Sequence, residues 1–247
     1  MINKKKKVIF ISGSSSGIGF HLAKLFQQLG YIVLINGHNK KRLNLASSLL
    51  NNCPSYFGDI TDRKVVEKII LNIKKKYDYI DLLVCNYGNS NFAKNNANYK
   101  FAFENNFFPT VNLINYSKKI LKKNISKILC ISSICGVESI KNAPIGYSLA
   151  KSTLNFYIKL ISPEFAKLGI TINGIVPGNI YFKGSTWDKK IKKNKSIIKK
   201  YIKENVPTNT FGDIDDIFSV CKMIISNKSN FMTGSLFTID GSQTKSI

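Results

Sequence analysis

Residues 8–19 read Val-Ile-Phe-Ile-Ser-Gly-Ser-Ser-Ser-Gly-Ile-Gly. An apolar run of strand length is joined to an amphipathic stretch by a turn with the pattern G-x-x-x-G-x-G. Glycine permits positive φ angles and close backbone approach, so the free amides at the start of the following helix can hold a pyrophosphate. A Gly-Ser turn is also a plain connector, but the order strand, turn, helix is the one that a dinucleotide site requires. The candidate contacts are Gly13, Ser15, Ser16, Gly17, Ile18 and Gly19.

Downstream of this turn, strand-length apolar runs alternate with longer amphipathic stretches. The predicted strands are residues 8–12, 32–36, 55–58, 80–85, 127–132, 171–176 and 235–239. The predicted helices are residues 18–29, 41–50, 63–76, 100–121, 146–167 and 214–226. Such alternation indicates parallel strands joined by right-handed helical crossovers. We therefore expect an α/β protein with a single-domain Rossmann fold over residues 1–247: a doubly wound, seven-stranded parallel sheet with helices on both faces.

Residues 181–206 depart from the alternation. The segment follows the sixth predicted strand and is longer than an ordinary connection. It is dense in lysine, with Lys189, Lys190, Lys192, Lys193, Lys195, Lys199 and Lys200. Because ligands of open α/β sheets bind beyond the carboxyl ends of the strands, we predict that 181–206 is a substrate lid. Its lysines either attract an anionic substrate or form a solvated helix face.

The chain of 247 residues carries a formal net charge of +23. Clustered cations favour nucleic acids and anionic membranes, but these lysines are spread along the whole sequence. Arginine, which reads guanine and phosphate by bidentate hydrogen bonds, occurs only at Arg42 and Arg63, so we expect no nucleic-acid partner. The apolar run after the basic N-terminus is too short for a signal peptide or a membrane span. We expect a cytoplasmic protein with no membrane partner.

The cysteines are odd in number and form no C-x-x-C pair. They are Cys53, Cys85, Cys130, Cys135 and Cys221. A disulfide framework or a zinc site needs paired, closely spaced ligands. The sequence therefore predicts buried, reduced thiols and no metal site.

The end of the second predicted strand bears on the choice of cofactor. An acidic side chain there suits the ribose hydroxyls of NAD, and a basic one suits the 2′-phosphate of NADP. Residues 36–42 read Asn-Gly-His-Asn-Lys-Lys-Arg and hold no carboxylate, which favours NADP(H) over NAD(H). His38 is nearest to the expected position, whereas His21, on the first helix, is expected to be a packing or surface residue.

Tyr147 and Lys151 stand four residues apart at the start of a predicted helix, which places both side chains on one face. A nearby ammonium favours the phenolate, so we expect a lowered pKa at Tyr147 and a working general acid near neutral pH. Tyr-x-x-x-Lys alone is common by chance.

Further motifs accompany this pair in a fixed order. They are Gly58-Asp59-Ile60, Cys85-Asn86-Tyr87-Gly88, Asn105-Asn106, Ile131-Ser132-Ser133, Val176-Pro177-Gly178, Thr233-Gly234 and Asp240-Gly241. With the glycine turn they cover essentially the whole chain. This set resembles the short-chain dehydrogenase/reductase family, in particular the members similar to 3-oxoacyl-[acyl-carrier-protein] reductase.

The resemblance implies a role for each matched residue. Tyr147 donates a proton to the substrate oxygen, Ser133 hydrogen-bonds that oxygen, Lys151 holds the nicotinamide ribose, and Asn106 supports a water that relays the replacement proton. The implied cofactor contacts beyond the turn are His38, Asp59, Ile60, Asn86, Tyr87, Gly88, Tyr147, Lys151, Pro177, Gly178 and Ile180.

Some positions depart from the family pattern. Ser12 replaces the usual threonine, Tyr87 replaces a small residue near the cofactor, and Phe182 replaces a threonine that bonds the carboxamide, so backbone groups near Ile180 must suffice. The spacing from Ser133 to Tyr147 is one residue longer than in many relatives, through an insertion near residues 141–142. All members of the catalytic set remain present.

The expected activity is hydride transfer between a nicotinamide cofactor and a carbonyl or secondary alcohol. The expected substrate is a small carbonyl compound, and the lysines of the lid would favour an anionic one. A 3-oxoacyl thioester is one substrate class, and a nucleotide-linked sugar is the alternative. A non-catalytic NADPH-sensing regulator is the alternative from another class. Residues 100–121 and 146–167 resemble the helix pair through which the family dimerises, so we expect a homotetramer or homodimer.

Overall fold

The computed structural model describes residues 6–89 and 98–246. Its sheet is parallel and has the strand order β3-β2-β1-β4-β5-β6-β7. The strands are β1 (Val8–Ile11), β2 (Ile32–Gly37), β3 (Ser55–Phe57), β4 (Leu82–Cys85), β5 (Lys127–Ile131), β6 (Thr171–Pro177) and β7 (Leu236–Ile239). The order reverses between β1 and β4, which opens a crevice at the carboxyl edge of the sheet. The predicted doubly wound Rossmann fold is confirmed.

The helices cover both faces of this sheet. They are α1 (Gly17–Gln28), α2 (Lys40–Leu49), α3 (Arg63–Tyr77), α4 (Tyr99–Asn106), α5 (Phe108–Ser117), α6 (Ile145–Ala166), α7 (Thr186–Lys193), α8 (Lys195–Asn205) and α9 (Ile214–Ser226). Alternate residues of β1 enter opposite cores: Ile9 and Ile11 pack with α1 and α9, whereas Phe10 packs with α3, α5 and α6. This period of two, with both faces buried, explains why the strand has no polar residue.

The single helix predicted over residues 100–121 is wrong. The structure has α4, a break at Phe107, α5, and a 3₁₀ turn over Lys118–Ile120. Pro109 lacks the amide that would bond the carbonyl of Asn105, and the Thr110 amide donates to Phe107 instead (3.1 Å). The break leaves Asn106 in the last turn of α4, where backbone carbonyls have no partner within the helix.

Residues 181–206, predicted as an insertion after the sixth strand, contain α7 and α8. Each helix begins at a polar cap: Ser185 Oγ accepts from Asp188 N (3.1 Å), and Asn194 Oδ1 accepts from Ile197 N (3.1 Å). The lysines of the segment are exposed.

No helix in the described part of the chain has both the length and the apolar character needed to span a membrane. The five cysteines are free; Cys53, Cys85, Cys130 and Cys221 are buried as predicted, whereas Cys135 is only half-buried. Across residues 6–89 and 98–246, no group of three metal-ligating side chains forms a candidate metal site.

Candidate active site

A cleft of about 800 Å³ lies at the carboxyl edge of the sheet. It brings together most of the residues that the sequence singled out: Gly13, Ser15, Ser16, Gly17, Ile18, His38, Ile60, Asn86, Tyr87, Gly88, Ser133, Tyr147, Lys151, Pro177, Gly178 and Ile180. Gly19, Asp59 and Asn106 are not among its lining residues. These three residues instead contact or position residues that line the cleft.

The turn between β1 and α1 is held open by backbone geometry. Gly13 and Gly17 have positive φ angles of 59° and 66°. Ser14 turns inward, where its Oγ donates to Ile11 O (2.6 Å), and so Ser15 and Ser16 are the serines that line the cleft. The Ser16 side chain does not cap α1, which leaves the amides at the N-terminus of this helix available to an anion.

Asn86 supports the turn from the end of β4. Its Nδ2 donates to Ser12 O (3.0 Å) and Gly13 O (3.1 Å). A Cβ at Gly19 would fall on this same nitrogen, which explains why the third glycine of the turn cannot carry a side chain. Ser12 Oγ accepts from the amides of Asn86 (3.0 Å) and Tyr87 (3.2 Å), so the replacement of the usual threonine keeps the useful hydroxyl.

The far end of the cleft lies beyond β2 and β3. His38, Ile60 and Arg42 line it, and Arg42 was not among the predicted contacts. Asp59 is exposed; its Oδ1 accepts from Thr61 N (3.0 Å) and Thr61 Oγ1 (2.9 Å). Asp59 therefore shapes the turn that positions Ile60. With Arg42 and His38 in its wall, this end of the cleft is basic.

The loop after β4 connects the cofactor side of the cleft to Asn106. Asn106 is buried, its Oδ1 accepts from Asn89 N (2.9 Å), and its Nδ2 donates to Asn89 O (3.1 Å). Gly88 lies between these groups, and a Cβ there would come within 3.1 Å of Asn106 Oδ1 and 3.4 Å of Lys151 Nζ. Tyr87 donates to Asn105 Oδ1 (3.2 Å) and so turns its bulky ring toward α4.

Ser133, Tyr147 and Lys151 meet at the centre of the cleft. Ser133 follows β5, and its side chain is hydrogen-bonded to that of Tyr147. Lys151 Nζ lies 5.9 Å from the centre of the Tyr147 ring and donates to Ile131 O at 2.9 Å. One turn of α6 thus presents a phenol and an ammonium beside a hydroxyl from the neighbouring strand.

The acidities of this group differ from the expectation. Burial raises the pKa of Tyr147 above that of a free phenol, and the nearby Cys135 thiol adds to the rise, while the hydrogen bond from Ser133 opposes it. Burial also lowers the pKa of Lys151 to about 8. The prediction of a lowered pKa at Tyr147 is therefore wrong for this structure, because the loss of water costs the phenolate more than the Ser133 hydrogen bond returns. Tyr147 is held as the neutral phenol, which is the form that donates a proton.

The loop after β6 closes the other side of this centre. Pro177, Gly178, Ile180 and Phe182 line it, and a Cβ at Gly178 would lie 2.8 Å from Asp240 Cα. The Phe182 ring lies 5.2 Å from that of His21, which confirms His21 as a packing residue. Ser132, 5% exposed and part of the lining, has no hydrogen-bond partner within the described residues for its Oγ.

Helices α7 and α8 form the outer wall with residues that the sequence did not identify individually. Trp187, Lys190, Ile197, Ile198 and Tyr201 line the cleft. Of the seven lysines predicted to crowd the lid, Lys190 alone reaches its lining. Lys192 instead pairs with Asp188 (2.8 Å), and Lys200 with Glu204 (3.7 Å). Helical periodicity turns the others outward, since a side chain on one face cannot reach the opposite one.

Two more lining residues escaped the sequence analysis. Cys135, taken as a core thiol, lies beside Ser133, whose Oγ accepts from its amide (3.2 Å). Lys141 projects from the loop between β5 and α6, next to Asn142 with a φ of 64°. The extra residue noted in this loop was the only sequence signal for Lys141.

The cleft fits a nicotinamide dinucleotide. Its volume is in the range of cofactor sites, its glycine turn presents amides at a helix N-terminus, and Ser132 offers a buried hydroxyl in need of a partner. Among the described residues, no aspartate or glutamate lines it, which suits a polyanionic cofactor. The residues that would hold it are those of the turn, with Asn86, Lys151 and Gly178.

Comparison with known proteins agrees with this geometry. The family model described as enoyl-(acyl carrier protein) reductase matches residues 13–244. The 3-oxoacyl-[acyl-carrier-protein] reductase of Rickettsia typhi is 29% identical over 249 residues, which cover 98% of both chains. An uncharacterized oxidoreductase of Thermotoga maritima is 25% identical over 252 residues, covering 98% of this chain and 99% of the other.

Solved structures share the fold. The NADPH-bound short chain oxidoreductase of Pseudomonas aeruginosa, described as containing an atypical catalytic center, superposes with a TM-score of 0.87 at 20% identity over 98% of each chain. The L-sorbose reductase of Gluconobacter frateurii, complexed with NADPH and L-sorbose, gives a TM-score of 0.84 at 23% identity, also over 98% of each chain.

Proposed function

The chain belongs to the short-chain dehydrogenase/reductase family, since the enoyl-(acyl carrier protein) reductase model matches residues 13–244. On that premise we propose that it reduces a carbonyl group with NADPH and that Tyr147 is the proton donor. It is an oxidoreductase that acts on CH–OH or C=O groups with a nicotinamide cofactor. This membership leaves the non-catalytic sensor without support.

One observation carries the assignment of roles: Ser133, Tyr147 and Lys151 converge in the cleft, with the phenol hydrogen-bonded to the serine. A nicotinamide cofactor, when bound, supplies the hydride. Tyr147 then gives its proton to the substrate oxygen, and the Ser133 hydroxyl stabilises the charge that develops on it. Lys151 holds the ribose, and Asn106 positions the loop at residues 88–89 and offers the terminal carbonyl of α4 to a relay water.

The test follows NADPH absorbance with a panel of ketones. We expect Tyr147→Phe to lower kcat/KM by about 100-fold or more while NADPH still binds, because the phenol ring remains and only the proton is lost. Tyr116→Phe is the matched control, since Tyr116 does not line the cleft. Undiminished turnover in Tyr147→Phe would refute the proposed acid.

We further propose a preference for NADP(H) over NAD(H). The support is the basic far end of the cleft, where Arg42 and His38 line the wall and the described lining holds no carboxylate. Arg42 suits a phosphate because its guanidinium can form two parallel hydrogen bonds. We expect Arg42→Gln to weaken NADPH binding by about tenfold and to leave NADH binding unchanged. Arg63→Gln, at the other arginine, is the control, and an equal loss for both cofactors would contradict the preference.

For the substrate we propose a 3-oxoacyl thioester, supported by the similarity to curated 3-oxoacyl-[acyl-carrier-protein] reductases, with a ketose or nucleotide-linked sugar as the alternative. In this proposal the whole chain is one catalytic domain and residues 181–206 are its substrate lid, since Trp187 and Tyr201 complete the cleft wall. Comparing kcat/KM for acetoacetyl-CoA and for a ketose such as sorbose decides between the thioester and the sugar. A higher value for the sugar would reverse the assignment.

We also propose a homodimer or homotetramer. Leu149, Phe156 and Leu160 of α6 are 48%, 65% and 61% exposed and form one stripe at helical spacing. Phe108 of the neighbouring α5 is 44% exposed. A second copy is the occupant that this stripe fits, because an isologous contact would bury the stripe against itself. Light scattering should show a multimer that Phe156→Glu converts to monomer; a monomeric wild type would overturn the proposal.

A further inference from the structure

The cationic residues of the cleft are distributed unevenly. They are Arg42, Lys141, Lys151 and Lys190. Arg42 stands at the far end, and Lys151 belongs to the catalytic centre. Of the other two, Lys190 lies on α7 and Lys141 in the loop before α6. Since the described lining includes no carboxylate, the charge of these two lysines is not neutralised from within the cleft.

Lys190 is positioned by an aromatic contact. Its Nζ lies 4.4 Å from the centre of the Trp187 ring. Trp187 is itself stacked on Tyr201 of α8, with ring centres 5.4 Å apart and an interplanar angle of 26°. A cation–π contact restrains an ammonium without cancelling its charge, unlike an ion pair. Lys192, two residues away, shows the contrast, because Asp188 neutralises it at 2.8 Å.

Lys141 lines the same cleft from a different element. It lies in the loop between β5 and α6, six residues before Tyr147, and it is exposed. Asn142 beside it adopts a left-handed conformation, which turns the chain sharply at this point. Two ammonium groups from different elements therefore line the same cleft as the catalytic phenol.

We infer that Lys190 and Lys141 form an anion-binding subsite that holds the acidic group of the carbonyl substrate. This inference rests on the proposed reductase function and narrows its substrate class to carbonyl compounds bearing a carboxylate or a phosphate. Positive charges lining a cleft raise the local concentration of an anionic substrate there. The remaining lysines of the lid add only to the diffuse field of the surface.

The kinetic test uses matched pairs of carbonyl compounds with NADPH. Acetoacetate is compared with ethyl acetoacetate, and dihydroxyacetone phosphate with dihydroxyacetone, so the two arms separate carboxylate from phosphate. We expect Lys190→Gln and Lys141→Gln each to raise KM for the preferred anion by about threefold to fivefold, with kcat and the neutral partner unchanged. The rise should vanish at high salt. Lys193→Gln, on the same helix but outside the cleft, is the matched control.

A binding readout separates this inference from the proposed function. Trp187 is the only tryptophan of the chain, so its fluorescence reports directly on the ring that Lys190 contacts. Titration of the NADP⁺-loaded protein with acetoacetate or dihydroxyacetone phosphate should give a saturable change that Lys190→Gln weakens and Lys193→Gln preserves. The binding change is expected even if none of these compounds is turned over. Absence of turnover would refute only the reductase assignment and not the subsite. Equal responses to charged and neutral probes, or equal effects of the two variants, would refute the subsite.

Discussion

The Gly19→Ala variant tests the reading of the phosphate turn most directly. The added Cβ would fall on Asn86 Nδ2 and within 3.0 Å of Gly13 O, so the Asn86 side chain must move. Its movement breaks the hydrogen bonds to Ser12 O (3.0 Å) and Gly13 O (3.1 Å). At about 1 kcal/mol for each bond, we expect a loss of about 2 kcal/mol in the free energy of unfolding.

A loss of this size lowers Tm by about 4–8 °C in a chain of this length. Because the same bonds fix the amides of the turn, we also expect the Kd for NADPH to rise by about tenfold or more. Thermal unfolding measures the first effect and fluorescence titration with NADPH the second. The control is Gly30→Ala, where φ is +82° and the added Cβ meets open space, which should cost stability without affecting NADPH binding.

A double-mutant cycle identifies the route of the effect. If the added methyl acts through Asn86, Gly19→Ala should cost much less in an Asn86→Ala background than in the wild type. Full additivity of the two substitutions would show that Asn86 is not the affected group. An unchanged Tm together with an unchanged Kd for NADPH would refute the steric argument as a whole.

Three further predictions concern charged groups. The pKa of Lys151 is about 8 in the native protein and 10.5 in the unfolded chain, so the unfolded chain binds more protons between these two pH values. The free energy of unfolding should therefore rise with pH across this window. Chemical denaturation should show a flatter rise for Lys151→Met. Asp188 is 5% exposed and accepts hydrogen bonds from Gly184 N (2.8 Å) and from Lys192. Asp188→Asn should therefore raise KM and change the Trp187 fluorescence more than Lys192→Gln does; equal effects of the two variants would contradict this. Glu138→Gln should speed hydrogen exchange at residues 245 and 246, whose amides donate to its Oε2 at 2.7 and 3.0 Å; unaltered exchange would show that the tail is held otherwise.

Local sequence signals predicted the elements that are locally determined. The boundaries of β1, β2 and β5 agree with the predicted ones to within one residue, and α9 agrees at both ends. These segments bury one or both faces, so their hydrophobic period is unambiguous. The error at residues 100–121 arose because the helical periodicity continues past Phe107, while a missing amide at Pro109 ends the hydrogen-bonded ladder.

The candidate site likewise has features that local spacing predicted and features that it could not predict. Tyr147 and Lys151 share a helix face, and Gly13, Gly17 and Gly19 share one turn, so their spacing predicted their grouping. The acidity of Tyr147 could not be predicted from spacing, because it depends on how far the folded chain buries the phenol away from water.

The sequence by itself determined the order of the seven strands along the chain, the glycine turn and the pairing of tyrosine with lysine, because each depends on neighbours within a few residues along the chain. The tertiary structure alone decided that Arg42, Lys141 and Lys190 share a cleft with Tyr147, while the other lid lysines do not. The physical reason is that a pocket wall gathers side chains from distant segments, and their separation in space depends on how helices pack on the sheet rather than on any local pattern.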